Sequence, residues 1–139
     1  MWLEGWFDQA FGARWNPMYY LGGLGFFYFW IVAVSGLYVY AFFDTGLTEA
    51  YTSVEEMTHS QWYLGGVMRS LHRYASDALV IMMALHMTRE FAFDHYRGPR
   101  FFSWITGVPM VWLVIAAGVT GHWLVWDTLA QYVAIVSAE

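Results

Sequence analysis

Two long stretches of the chain carry no charged side chain. Residues 15–43 contain no Asp, Glu, Lys or Arg, and residues 101–126 contain none either. Each stretch is longer than the roughly 20 residues that a helix needs to cross the hydrocarbon layer of a membrane. The pattern therefore predicts two membrane helices, at about 18–43 and 102–126.

A third apolar segment lies between them and is less plainly a membrane helix. It carries Arg69, Arg73 and Asp77, and its charge-free part runs only from residue 78 to residue 88. Ionisable groups inside a membrane segment are costly and usually face a cofactor, a cavity or each other. We predict a third membrane helix at about 66–93 and expect the functional groups to lie on it.

The start of the chain has a different pattern. Trp2, Trp6, Phe7, Ala10 and Phe11 recur at helical spacing, which favours an amphipathic helix at about 2–14 that lies in the membrane interface. A frayed terminus is the simpler alternative. The fold class expected is all-α, with residues 1–139 forming one integral membrane domain.

Composition supports this class and excludes others. Hydrophobic residues make up 59% of the chain and charged residues only 12%, far from the average of a soluble domain. The net charge of −5 and the absence of Lys argue against a nucleic-acid partner. Because the chain has no Cys, disulfides, iron–sulfur ligation and thioether attachment of a haem are excluded within it.

Arginine placement predicts the orientation. Arg14 precedes the first helix, and Arg89, Arg97 and Arg100 lie in or beside the loop between the second and third helices, whereas the loop 44–61 has no Arg and four acids. The positive-inside rule then places the N-terminus in the cytoplasm.

The middle segment contains two histidines, His72 and His86, fourteen residues apart. On a helix this spacing puts both on one face, within about 40°, and separates them by a rise of about 21 Å. A single small metal site would need its ligands closer together. The spacing suggests two sites stacked through the bilayer, and imidazole is a common axial ligand of haem iron.

The same interval separates two glycine pairs, Gly22 with Gly36 in the first helix and Gly107 with Gly121 in the third. Such glycines would leave notches for a flat macrocycle at the depths of the two histidines. Taken singly, glycines in membrane helices more often serve helix packing. The coincidence of three equal intervals favours cofactor clearance.

Arginines close to the histidines are candidate partners of haem propionates. Arg69 and Arg89 each lie three residues from a histidine, and Arg73 is a third candidate. A topology-setting interfacial charge explains Arg89 equally well. For Asp77, an ion pair with Arg73 four residues earlier is favoured over a role in proton transfer. His59 and His95 are interpreted as surface residues of loops.

Three stretches carry a resemblance to a known family. They are LHRYASDALVIMMALHMTR, WITGVPMVWLVIAAGVTGHWLVWD, and the helix that begins WNPMYYLGG and ends VSGLYVY. Over nearly its whole length, the chain resembles the N-terminal part of proteins of the cytochrome b family. Within that family it looks most similar to the cytochrome b6 branch.

The resemblance implies a four-helix bundle with two non-covalent b-type haems, each bound by one histidine of the second helix and one of the fourth. His72 and His86 match the second-helix ligands of the iron. Arg69 and Arg89 match propionate-associated arginines, and the four glycines match the positions that clear the haems. The implied partners are quinone or quinol, lipid, and Rieske-type, cytochrome c or iron–sulfur subunits, and the expected location is the bacterial inner membrane.

The chain departs from the family pattern in three places. It stops at Glu139, before the fourth helix, so another chain or further sequence must supply the opposite haem ligands. Tyr20 stands where cytochrome b6 has the cysteine that attaches an additional haem. His122 replaces an aromatic residue and Val125 a proline, which remodels the outer quinol pocket.

His122 lies four residues before Trp126 at the outer end of the third helix, where it would hydrogen-bond a quinone oxygen. An interfacial histidine that faces water is the alternative. We assign no catalytic residue.

The function expected is that of a di-haem electron-transfer subunit of a quinol-linked oxidoreductase, inactive alone, in a respiratory or photosynthetic complex. The alternatives are a haem-bearing membrane anchor of a different quinone-linked enzyme and a purely structural membrane subunit.

Overall fold

The computed structural model describes residues 2–46 and 48–138, with the side chains of residues 2 and 3 outside the described part. These residues form six α-helices and no strand, which confirms the all-α prediction. The helices are α1 (Trp2–Phe11), α2 (Leu21–Phe42), α3 (Ala50–His59), α4 (Val67–Ala92), α5 (Phe101–Leu124) and α6 (Thr128–Ala138). Short 3-10 turns, Pro17–Tyr20 and Gly98–Arg100, lead into α2 and α5, and a π turn, Trp62–Gly66, leads into α4.

Two of the described helical segments are long and apolar enough to cross a membrane, Pro17–Phe42 and Gly98–Leu124. Both coincide with the charge-free runs of the sequence. Helix α4 is the longest of the six, with 26 residues, but its charged side chains make it less apolar than these two segments. This is the expected cost of placing ionisable groups on that helix.

Helices α2 and α4 form the main packing interface. Small or aliphatic side chains lie buried between them, and small residues let two helix backbones approach closely. The buried residues of the pair are Leu21, Gly25, Ser35, Ala75 and Leu79. The two helices run antiparallel, because the start of α2 faces the end of α4.

The start of α2 is fixed by Asn16, whose side chain is fully buried. Its Oδ1 accepts a hydrogen bond from the Met18 N–H at 2.9 Å, which caps the 3-10 turn that Pro17 opens. Its Nδ2 donates to the Glu4 carbonyl at 3.1 Å and to Asp8 Oδ1 at 2.8 Å. Asn16 therefore ties α1 to the first turn of α2.

A second contact holds α1 against the bundle. Arg89 Nε, near the end of α4, lies 2.9 Å from Glu4 Oε1, and both side chains are mostly buried. The predicted interfacial segment is thus helical and docked, and Phe11 on it is 56% exposed. Trp2, which contributed to the predicted amphipathic pattern, has its side chain outside the described part.

The acidic segment between α2 and α4 contains a helix that the sequence pattern did not predict. Helix α3 buries Ala50, Val54 and Met57, which recur at helical spacing. The π turn passes so close to α3 that a Cβ on Gly65 would lie 2.6 Å from the Met57 carbonyl oxygen. Only glycine fits at this crossing.

Helix α5 contacts the rest of the chain mainly at its start. Rings of Phe91, Tyr96 and Trp104 cluster there, with Phe91 and Tyr96 stacked at 5.2 Å between centroids. None of the residues of α5 is buried. Helix α6 follows a sharp turn at Trp126, which has a positive φ of 53°, and it begins with Asp127 Oδ1 accepting from the Ala130 N–H at 2.7 Å.

Candidate functional site

His72 is held against α2 by a polar contact through one ring nitrogen. Its Nδ1 lies 3.0 Å from the Val32 carbonyl oxygen and 3.3 Å from Ser35 Oγ. A carbonyl only accepts, so this nitrogen carries the proton and donates. Histidines that bind metals commonly orient themselves in this way, which leaves Nε2 deprotonated and available as a ligand.

The His72 ring also lies directly on Gly36. A Cβ built on Gly36 would be 2.8 Å from Cε1 and 3.1 Å from Nδ1 of the imidazole. Any larger residue at this position would move the ring or the helix. The absence of a side chain at Gly36 is therefore part of what positions His72.

His86 has the same relation to Gly22 at the other end of the helix pair. A Cβ on Gly22 would lie 3.3 Å from Cε1 and 3.4 Å from Nε2 of His86. Because α2 and α4 are antiparallel, the first glycine faces the second histidine and the second glycine faces the first. The equal intervals in the sequence therefore correspond to two levels of one interface.

A cavity of about 450 Å³ opens beside His86, between α2, α4 and α5. Gly22 and Gly25 line it from α2, Met83 and His86 from α4, and Gly107 from α5. Its walls are largely apolar, which suits a flat hydrophobic ligand with a few polar groups. The second glycine predicted on α5, Gly121, faces open space, with no atom within 4 Å of a Cβ built on it.

One end of this cavity is polar. Glu90, His95 and Arg100 all line it, and His95 Nδ1 lies 2.7 Å from Glu90 Oε2. Arg100 is close to both: its NH1 is 3.6 Å from Glu90 Oε2 and 3.1 Å from His95 Nδ1. His95 was interpreted as a surface residue from the sequence. In the sequence, the only sign of this contact is that His95 lies five residues from both Glu90 and Arg100. That spacing does not show that the loop turns back and brings the three side chains together.

The three candidate propionate arginines have other surroundings. Arg69 donates to Thr58 Oγ1 of α3 at 2.8 Å, and Arg73 is exposed. Arg89 pairs with Glu4, and its guanidinium lies over the Phe93 ring at 5.0 Å from the centroid. None of the three lines the cavity at His86. Their assignment to propionates stays a prediction.

Two other sequence interpretations concern single residues. Arg73 and Asp77 form no ion pair within the described part of the chain, although their spacing favours one. His122 is exposed at the end of α5, and Trp126 is 36% exposed at the turn that follows. Between them, the indole N–H of Trp123 is buried without a hydrogen-bond partner among the described residues.

Two imidazoles at two levels of one helix, each facing a glycine of an apolar neighbour long enough to cross a membrane, are the arrangement that the resemblance to a membrane cytochrome predicts. The comparisons with known proteins agree. The chain belongs to the cytochrome b family, because the family model described as Cytochrome b/b6/petB matches residues 7–139.

Curated relatives are similar over most of the chain. Cytochrome b6 of Prochlorothrix hollandica is 35% identical over 123 residues, which are 88% of this chain and 55% of that protein. Cytochrome b6 of Porphyra purpurea is 34% identical over 117 residues, 84% of this chain and 54% of that protein. Cytochrome b6 of Synechococcus elongatus is 35% identical and covered to 57%. The chain therefore spans about half the length of the curated relatives it matches.

Proposed function

We propose that this chain is the N-terminal haem-binding part of a di-haem cytochrome b that carries electrons across a membrane between quinol or quinone and partner redox subunits. One observation carries the proposal: each of the two histidines, His72 and His86, faces a glycine of α2. The two contacts lie at levels about 21 Å apart along the helices. One small metal site would not need two levels. Two flat cofactors, stacked along the bundle, would need both.

The residues fit b-type haem. His72 presents a free Nε2 because its Nδ1 donates to a carbonyl, and His86 borders a cavity with a glycine-lined wall. In this assignment the iron of each haem is bound by one of the two imidazoles, and Gly22, Gly36 and Gly107 give the macrocycles clearance. Gly121 has the same role at the outer level. When bound, haem supplies reversible one-electron chemistry, and the protein supplies placement and tuning of the potential.

A fourth helix from another chain or from further sequence would complete the bundle. Helix α5 supports this, because none of its residues is buried and its exposed side chains are large and apolar. A lipid surface and a partner helix would cover them. We assign α2, α4 and α5 to the membrane, with the N-terminus and the loop between α4 and α5 on the cytoplasmic side. Arg69, Arg73 and Arg89 would then lie near the two membrane faces, where propionates emerge.

The experiment that tests the proposal is a pyridine haemochrome assay with a reduced-minus-oxidised spectrum on the purified, complete membrane assembly. We expect b-type haem at two per copy of this chain. A well-folded, complete assembly without haem would contradict the proposal and leave a structural membrane subunit.

For the outer end of α5 we propose a quinone contact at His122, four residues before Trp126. The imidazole is exposed there and forms no hydrogen bond within the described part of the chain, so it is available to a quinone oxygen. We expect His122→Phe to lower kcat/KM for quinol by about tenfold, the effect of losing about 1.4 kcal/mol of binding free energy. The measurements are the kinetics of quinol turnover and titration with an inhibitor of the quinone site. His59→Phe, which replaces another exposed histidine, is the control. Unchanged turnover and inhibitor affinity in His122→Phe would refute the contact.

A further inference from the structure

The polar end of the cavity at His86 contains an acid–base pair that the proposed haem binding does not use. Glu90 Oε2 and His95 Nδ1 are 2.7 Å apart, and their side chains are 20% and 34% exposed. Glu90 lies four residues after His86 on α4, one helical turn or about 6 Å along the axis. The pair therefore lies within the same cavity as the iron ligand and still reaches water.

Few other charges act on this pair. Arg100 NH1 is 3.6 Å from Glu90 Oε2, and Arg89 NH1 is 3.5 Å from Glu90 Oε1. Arg89 is itself paired with Glu4 of α1. Neither helix α2 nor helix α5 contributes a charged group to the cavity. Among these side chains, two guanidinium groups, Arg89 and Arg100, face two carboxylates, Glu4 and Glu90.

His95 Nδ1 also has two competing neighbours. It lies 2.7 Å from the Glu90 carboxylate, to which it must donate, and 3.1 Å from Arg100 NH1, from which it would have to accept. One nitrogen cannot do both at once. A proton on Nδ1 is supported by the Glu90 carboxylate, and a bare Nδ1 is supported by Arg100, so a proton of the pair has two possible positions.

We propose that Glu90 and His95 bind a proton from the aqueous phase when an electron reaches the haem at His86. The inference rests on the proposed function, because it needs a haem at that position. A haem held at His86 would gain one negative charge on one-electron reduction, and in a cavity of low polarity that charge would favour the protonated form of nearby groups. In the membrane the electron would come from a quinol or a partner redox group, and in the test it comes from a chemical mediator. One electron and one proton enter together, and the charge of the cavity is unchanged.

The test is an optical redox titration of both b haems in the complete assembly, from about pH 5 to about pH 8, the range in which histidine titrates. The haem of interest is identified as the one that His86→Ala removes. Its reduction is expected to become less favourable as pH rises, by up to tenfold per pH unit, which is about 59 mV for a one-electron couple. Glu90→Gln should flatten this dependence, and His95→Gln should flatten it or move it.

A second His–Glu pair provides the matched control. His59 Nε2 and Glu55 Oε1 are 2.9 Å apart on α3, exposed to 73% and 51% and outside the cavity. Glu55→Gln and His59→Gln are expected to keep the pH dependence of the parent protein. If Glu90→Gln fails to bind haem, His95→Gln decides the matter alone.

Two results would overturn the inference while leaving the proposed function intact. One is a haem at His86 with a pH-independent potential in the parent protein. The other is a pH dependence that survives unchanged in both Glu90→Gln and His95→Gln. Absence of haem from the parent assembly, in contrast, would refute the proposed function itself.

Discussion

Replacing either His72 or His86 with alanine is expected to reduce the haem content of the assembly from two b haems to one. Each variant removes one of the two imidazoles proposed to bind iron and leaves the other level of the α2–α4 interface intact, because the two histidines are about 21 Å apart along the helix. The measurement is the pyridine haemochrome assay together with the resolved difference spectrum. The haem that remains should differ between the two variants.

His59→Ala is the control for these variants, because His59 is exposed on α3 and faces neither level. It should retain both haems. Retention of two haems in His72→Ala or in His86→Ala would mean that the remaining ligands come from elsewhere. The assignment of α4 as the helix that carries the ligands would then be wrong.

Gly36→Ala is expected to have the next largest effect. The added methyl group would lie 2.8 Å from Cε1 of His72, so the ring or helix must move, and overpacking of this kind typically costs about 1–3 kcal/mol. The alanine recovers up to about 1 kcal/mol through its better helix propensity. We expect loss or spectral displacement of the haem at His72, with the haem at His86 unchanged, measured by difference spectra and by thermal release of haem.

Two other glycines of the same helix calibrate this result. A Cβ on Gly22 would be 3.3 Å from His86, so Gly22→Ala should disturb the other haem more mildly. A Cβ on Gly23 would have no atom within 4 Å, so Gly23→Ala should leave both haems as they are. If Gly36→Ala behaved like Gly23→Ala, the close contact between Gly36 and His72 would have no functional role.

The segments of α2, α4 and α5 were predictable because the features that form them are local. Charge-free runs mark α2 and α5, and the fourteen-residue intervals are properties of the chain itself. The reversed facing of glycines and histidines follows once α2 and α4 are antiparallel neighbours. The buried spacing of Ala50, Val54 and Met57 is also present in the sequence, but the acidic residues around it obscured the helix.

The polar end of the cavity was not predictable in the same way. It depends on the turn between α4 and α5, which brings His95 and Arg100 back to Glu90. The partner of Arg89 is 85 residues away on α1, a separation that no local pattern reports. Long-range contacts between polar groups need the fold, whereas helix faces and intervals need only the periodicity.

The exposure of α5 affects how changes in this helix should be judged. A side chain contributes to folding stability mainly through what it buries, and most side chains of α5 are exposed, with none fully buried within the chain. Substitutions at the exposed positions of α5 would therefore have little effect on the stability of the isolated chain. Their cost would appear only as reduced yield of the assembled complex, so screening of α5 variants belongs in cells that make every subunit.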